Sequence, residues 1–150
     1  MVALKQVAFQ HCRDYVESRF QGIQKEIEKV NESLRSETKS TAGDKHETGR
    51  AMLQLEREKL GKQLAEVEKL KRVLQKIHLN KKTERIALGS LVVTDSNCYY
   101  ISISSGRVDI NEQSVFCISP MTPIGQLLLG KTKGDTIHFN GLTTTIRDSF

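Results

Sequence analysis

Leu53, Leu60, Val67 and Leu74 stand seven residues apart, Leu64, Leu70 and Ile77 fill intermediate positions, and no proline interrupts them. That spacing draws one apolar line along a helix, and such a line must be covered by another helix. A second line lies upstream: Phe9, Cys12, Val16, Phe20, Ile23, Ile27, Val30 and Leu34 recur at steps of three or four, with charges between them. The interruption ETKSTAGDKHETG, residues 37–49, is polar, holds two glycines and carries helix-start residues. The pattern therefore predicts two helices that turn back on each other. Pairing residues whose numbers sum to about 87 sets Leu34 against Leu53, Ile27 against Leu60, Phe20 against Val67 and Cys12 beside Leu74, with a mirror point at 43–44. Two helices of about thirty residues make an antiparallel hairpin on the order of 45 Å long, tipped by Gly43 and Asp44. One continuous intermolecular coiled coil is the competing arrangement, and the length of the polar gap argues against it. A two-helix rod buries little surface per residue, so it must dock, dimerise or reach into a partner.

From Arg85 the pattern changes to short β-prone runs: SLVVT at 90–94, CYYISIS at 98–104, RVDI at 107–110, SVFCI at 114–118, TIHFN at 136–140 and TTTIRD at 143–148. DSN, SSG and NG between them fit hairpin connections. Before the fifth run, Thr122 can cap a short helix, Pro123 suits its first position and Gly130 can close it. The expected class is α+β, with an N-terminal antiparallel helical coiled-coil hairpin and a small antiparallel-sheet domain bearing one short helix. The boundaries are hairpin 1–80 with its tip near 42–48, linker 81–88 and C-terminal domain 89–150.

Several function classes are disfavoured. The 150 residues lack Trp and are 27% charged, a composition that describes neither a disordered nor a collagen-like chain. No long apolar run or export signal is present, so the expected place is the cytoplasm, with no membrane partner. Cys12, Cys98 and Cys117 are odd in number and lack C-x-x-C spacing, which favours buried reduced thiols. Residues 1–80 carry 16 basic and 12 acidic groups and residues 81–150 carry 7 and 6, with the two signs interspersed. That is no basic stripe for DNA or RNA, although a large acidic assembly suits the mild excess.

No nucleophile elbow is visible, and His11, His46, His78 and His138 are scattered. Gly125 to Thr132 matches the letters G-x-x-x-x-G-K-T, but QLLL within it is apolar and helix-like, so its amides belong to a helix rather than to a phosphate. At the hairpin tip Asp44 and Glu47 stand three apart. One reading is a capping box, in which Asp44 accepts from a backbone amide and Glu47 reaches back. The other is that two carboxylates on a protruding tip complete a divalent-cation site supplied mostly by a partner, since two ligands are too few to hold Mg²⁺ alone.

Taken together these pieces resemble the bacterial Gre-type transcript cleavage factors over nearly the whole chain. The most specific stretch is ISPMTPIGQLLLGKTKGDTIHF at 118–139, and GSLVVT at 89–94 is similar to the opening of the family's C-terminal domain. At the tip, where the family typically reads G-D-L-x-E-N-A-E-Y, this chain has Gly43, Asp44, Lys45, His46, Glu47, Thr48, Gly49, Arg50 and Ala51. Gly43, Asp44 and Glu47 carry over, Lys45 and Thr48 replace the family's residues, and the acidic-aromatic pair is absent. The resemblance implies an FKBP-like C-terminal domain and a monomer that binds RNA polymerase. It implies that the hairpin enters the polymerase's secondary channel, where Asp44 and Glu47 help hold Mg²⁺ over backtracked RNA. The chain would then stimulate the polymerase's own RNA hydrolysis without being an enzyme or owning a cofactor. Thr122, Pro123 and Ile124 match the family's docking loop and are the expected partner-binding residues. Two further readings stay open: a polymerase-binding channel blocker without cleavage activity, and a structural or adaptor coiled-coil protein. Prolyl isomerisation is disfavoured, because Tyr99, Tyr100, Phe116, Phe139 and Phe150 are too few aromatics for such a pocket.

Overall fold

A computed structural model describes residues 1–38 and 43–150, without the side chains of 38 and 43–46. Two long helices come first, α1 (Val2–Thr38) and α2 (Gly43–Gln75). Six strands follow: β1 (Leu91–Thr94), β2 (Cys98–Ile101), β3 (Gly106–Ile110), β4 (Gln113–Ile118), β5 (Thr136–Phe139) and β6 (Leu142–Ser149). The short helix α3 (Pro123–Leu128) lies between β4 and β5. The class is α+β, as expected. Among the described residues no helix is long and apolar enough to cross a membrane.

The chain forms two compact units, Val16–Lys71 and Met1–Tyr15 together with Arg72–Phe150. In the first, Ile23, Ile27, Val30, Leu60 and Val67 are buried, as the two apolar lines require. A β-carbon on Gly49 would lie 3.6 Å from the Glu37 carboxylate, and Lys71 Nζ sits 5.7 Å from the centre of the Phe20 ring. Moving back along α1 from Glu37 to Phe20 thus moves forward along α2 from Gly49 to Lys71, so the helices are antiparallel and close to the expected register. The interruption is shorter than its polarity suggests, since 37–38 and 43–49 are helical. Polar, charged residues suit an exposed helix end as well as a loop, and propensity does not separate the two. The expected turn at Gly43 and Asp44 is corrected accordingly: both belong to α2.

In the second unit the sheet order is β3-β4-β2-β1-β6-β5. Four of the five strand pairings among the described residues are antiparallel, and β2 runs parallel to β4, with Tyr100 opposite Cys117. The sheet is therefore mixed where an antiparallel one was expected. The same pairing corrects SSG: β3 bonds to β4 and not to β2, so 104–106 is a crossing and the tight β3–β4 turn is Asn111-Glu112, both at positive φ. Asn140-Gly141 does make the β5–β6 turn, with both residues at positive φ.

Leu91, Val92, Tyr100 and Ile101 are all fully buried, which needs cover on both faces of the sheet. On one face Val92, Ile101, Ile137 and Ile146 pack with Ile124 and Leu128 of α3 and with Ile86. Each such side chain contributes roughly 1.5–3 kcal/mol of hydrophobic stabilisation. Ile86 comes from the segment read as linker, where its N–H donates to the Lys131 carbonyl and its carbonyl accepts from Gly130 N–H. On the other face Tyr100 and Cys117 meet Cys12 of α1.

Candidate functional site

The acidic pair lies where α2 begins. Asp44 falls in the first turn, three residues before Glu47, so the two positions share one helical face. The Asp44 side chain lies outside the described residues, and Glu47 is exposed. Because α2 starts at Gly43, Asp44 sits inside the helix and not at its cap position. Anionic residues there are favoured by the helix dipole rather than by a capping box.

The second sequence candidate is built by local hydrogen bonding. Thr122 caps α3: its Oγ1 accepts from Gly125 N–H at 3.1 Å and its hydroxyl donates to the Ser119 carbonyl at 2.7 Å. Pro123 occupies the first turn and Gly130 follows the helix at φ +79°. The three residues of this motif do not share a surface. Pro123 is exposed, Thr122 is half-buried, and Ile124 is 9% exposed within the core cluster. The apolar surface here is formed instead by Met121, which is 77% exposed, with Pro123, Leu127 and Leu129 beside it. Packing of α3 on the sheet buries Ile124, and periodicity over six residues cannot reveal that.

The letters of the phosphate-loop pattern also resolve. The amides of Gly125, Gln126, Leu129, Gly130, Lys131 and Thr132 donate to Thr122 Oγ1, Thr122 O, Gly125 O, Ile86 O, Leu128 O and Asp135 Oδ2 respectively. They are engaged within the fold, and no anion cradle is left.

The structure brings together a group that the sequence did not suggest as a set. Cys12 Sγ lies 3.2 Å from Ser102 Oγ and 3.5 Å from Ser105 Oγ, and it is hydrogen-bonded to Cys117. The Tyr100 hydroxyl is buried beside both thiols and has no hydrogen-bond partner among the described residues. All three cysteines are free and buried, as expected. The Cys117 proton and the two hydroxyls favour a thiolate at Cys12 and pull its pKa down to about 6 against the opposing effect of burial. Cys117, which gives that hydrogen bond, is pushed up, and burial alone raises Cys98 to about 11. Only a spatial pairing 90 residues apart could have shown this cluster.

The cluster has a consequence for pH. A thiol whose folded pKa is below its unfolded value of roughly 8.5 stabilises the fold above that value and loses the contribution as pH falls through about 6. The melting temperature is expected to climb between those limits. It should level off above them, where the raised Cys117 begins to oppose it. Cys12→Ser should flatten the climb, and thiolate absorbance of the folded protein should disappear with it. An identical pH profile for wild type and Cys12→Ser would show that Cys12 keeps its proton.

No family model matches this chain, and no curated protein does. Solved structures do match. One, of the transcription factor Gfh1, is 18% identical and covers 87% of this chain and 90% of that chain, with a TM-score of 0.33.

Proposed function

We propose that this chain is a transcription elongation regulator that binds bacterial RNA polymerase through its C-terminal domain. Its paired helices enter the polymerase's secondary channel, where it acts on backtracked RNA. The observation that carries this reading is the antiparallel α1/α2 pair, in which Glu47 is exposed near the start of α2. Support from the sequence is the stretch 118–139, whose α3 cap, core helix and Gly134-Asp135 turn all form.

Asp44 and Glu47 fit a shared metal site as partial donors. They are one helical turn apart on one face, and with two carboxylates the remaining ligands must come from the polymerase. Asp44 and Glu47 would hold Mg²⁺ jointly with polymerase ligands, and the ion would supply a lowered pKa for the attacking water and positive charge opposite the displaced oxygen. The chain's own contribution is to place negative charge, and it owns no cofactor and no complete active site. On the docking side, exposed Met121 and Pro123 form the contact and Thr122 fixes their geometry from beneath.

A second reading is favoured by one specific feature. Lys45 and Arg50 stand within three residues of the acids in sequence, and positive charge there weakens the attraction of a divalent cation. In that case the helix pair occupies the channel and blocks it.

The test uses Asp44→Asn with Glu47→Gln on a backtracked complex at limiting Mg²⁺ and saturating protein. The amides keep size and a hydrogen-bond acceptor, so the helix cost is about 1 kcal/mol or less. Polymerase binding should persist while stimulated RNA cleavage drops by about tenfold or more. Equal cleavage by variant and wild type would remove the acids from the chemistry. Binding without any stimulation by wild type would select the blocking reading, and absence of binding would overturn both.

A further inference from the structure

Lys5 is 4% exposed, and among the described residues no carboxylate pairs with it. Burial of an ammonium without a counter-charge is costly, and desolvation pulls its pKa below the usual lysine value. Lys5 is not sealed in the core. It lines a pocket of about 200 Å³ together with Val2, Asn80, Lys81, Lys82 and Phe150. Lys81 and Lys82 are exposed at the rim, and Lys82 Nζ stands 5.4 Å from the centre of the Phe150 ring.

Among the described residues three cations and no acidic side chain line this pocket, whereas its neighbour on the same segment, around Lys82, Thr83 and Lys133, includes Glu84 and Asp148. The start of α1 adds to the positive field. The first bond of the helix runs from Lys5 N–H to the Met1 carbonyl, so the amides before Lys5 have no partner within the helix. The first turn also holds no acidic residue, and the positive end of a 37-residue helix therefore reaches this pocket through Val2 uncompensated.

We propose that Lys5, Lys81 and Lys82 bind the phosphate group of a small phosphomonoester, whose organic part rests on Val2 and the Phe150 ring. The charge argues for this class. A phosphomonoester carries about two negative charges at neutral pH and presents three acceptor oxygens. Lysine is a natural partner for it as a point charge. A phosphodiester or a carboxylate carries a single charge and leaves more of the cationic excess uncompensated. The apolar wall distinguishes an ester from the free ion, which has nothing to place there. This site shares no residue with Asp44, Glu47 or the α3 surface, so it does not depend on the proposed role in transcription.

The experiment titrates the full-length protein with phenyl phosphate, inorganic phosphate, dimethyl phosphate and sulfate at equal ionic strength, followed by calorimetry and by thermal shift. Phenyl phosphate should bind saturably and raise the melting temperature. Inorganic phosphate should bind more weakly, and dimethyl phosphate about tenfold more weakly or worse. Lys5→Met should lose about tenfold or more in affinity, and Lys82→Gln, an exposed change that leaves the core untouched, should lose several-fold. Phenyl phosphate binding no better than sulfate would overturn the proposal. So would unchanged affinity in both lysine variants. Equal affinity for inorganic and phenyl phosphate would overturn the ester, and equal affinity for dimethyl phosphate would overturn the dianion.

Discussion

Ile124→Asp is expected to unfold the sheet-bearing unit outright. The side chain is packed with Ile86, Val92, Ile101, Leu128, Ile137 and Ile146, all of them aliphatic. Losing the apolar contacts and burying an unpaired charge together cost on the order of 5 kcal/mol or more, against a total stability of about 5–15 kcal/mol for an ordinary domain. Met121→Asp, three residues away and 77% exposed, should stay within about 0.5 kcal/mol of wild type. Measured by denaturant melts followed through the amide dispersion of the sheet, the first variant should show no cooperative transition at ambient temperature. A wild-type transition in Ile124→Asp would mean that this side chain can turn outward. The pair also bears on function, because polymerase binding lost by Met121→Asp with an unchanged melt assigns the contact to surface and not to stability.

Gly125→Ala should also be damaging, to a smaller extent, although it adds only a methyl group. In a helix, alanine is ordinarily favoured over glycine by about 1 kcal/mol. Here the added carbon would lie 2.3 Å from the Ser119 carbonyl oxygen, 2.8 Å from Thr122 Oγ1 and 3.1 Å from the Pro120 carbonyl carbon. Two of those three atoms are backbone, and the third is the cap that holds α3, so the neighbours cannot give way by rotating a side chain. Overpacking of that kind costs about 3 kcal/mol and outweighs the gain in propensity. A shift of the denaturation midpoint to lower concentration at constant slope is the expected result. A midpoint equal to or above wild type would show that residues 119–122 can move aside.

Much of the fold could be read because its signals are local. The seven-residue spacing of Leu53, Leu60, Val67 and Leu74 required a partner helix, and the upstream apolar residues supplied it in nearly the register found. Thr122, Pro123 and Gly130 each have one strong conformational preference, and each sits where that preference places it. What escaped reading depends on which surfaces meet. Nothing in CYYIS or SVFCI says that β2 and β4 run parallel. The Asn111-Glu112 turn lacks the glycine that advertises such turns. Periodicity marks Cys12 as inward-facing, but it does not say that the face meets Ser102 and Cys117 of the sheet. Lys5 reads as one of many interspersed charges, and only the fold brings it beside Lys81 and Lys82 without an acid. The candidate site was legible in part for the same reason: residue types named Asp44 and Glu47, whereas the inward turn of Ile124 is a matter of packing.

α1 contributes Val2–Tyr15 to one compact unit and its remainder to the other. That division sets an order of events during synthesis. The segment bearing Ala8 and Cys12 leaves the ribosome before the sheet, and its hydroxyl partner Ser102 lies 90 residues later in the chain. At bacterial-to-eukaryotic elongation rates the gap is roughly 5–20 s. Throughout that time the beginning of α1 can be helical but its apolar face has no sheet to meet. The paired helices of 16–71 are complete well before β1 is made, and they can assemble while translation continues. The sheet-bearing unit must instead wait for its own C-terminal strands and then recover a segment made at the start, which makes its closure the late, long-range step of folding.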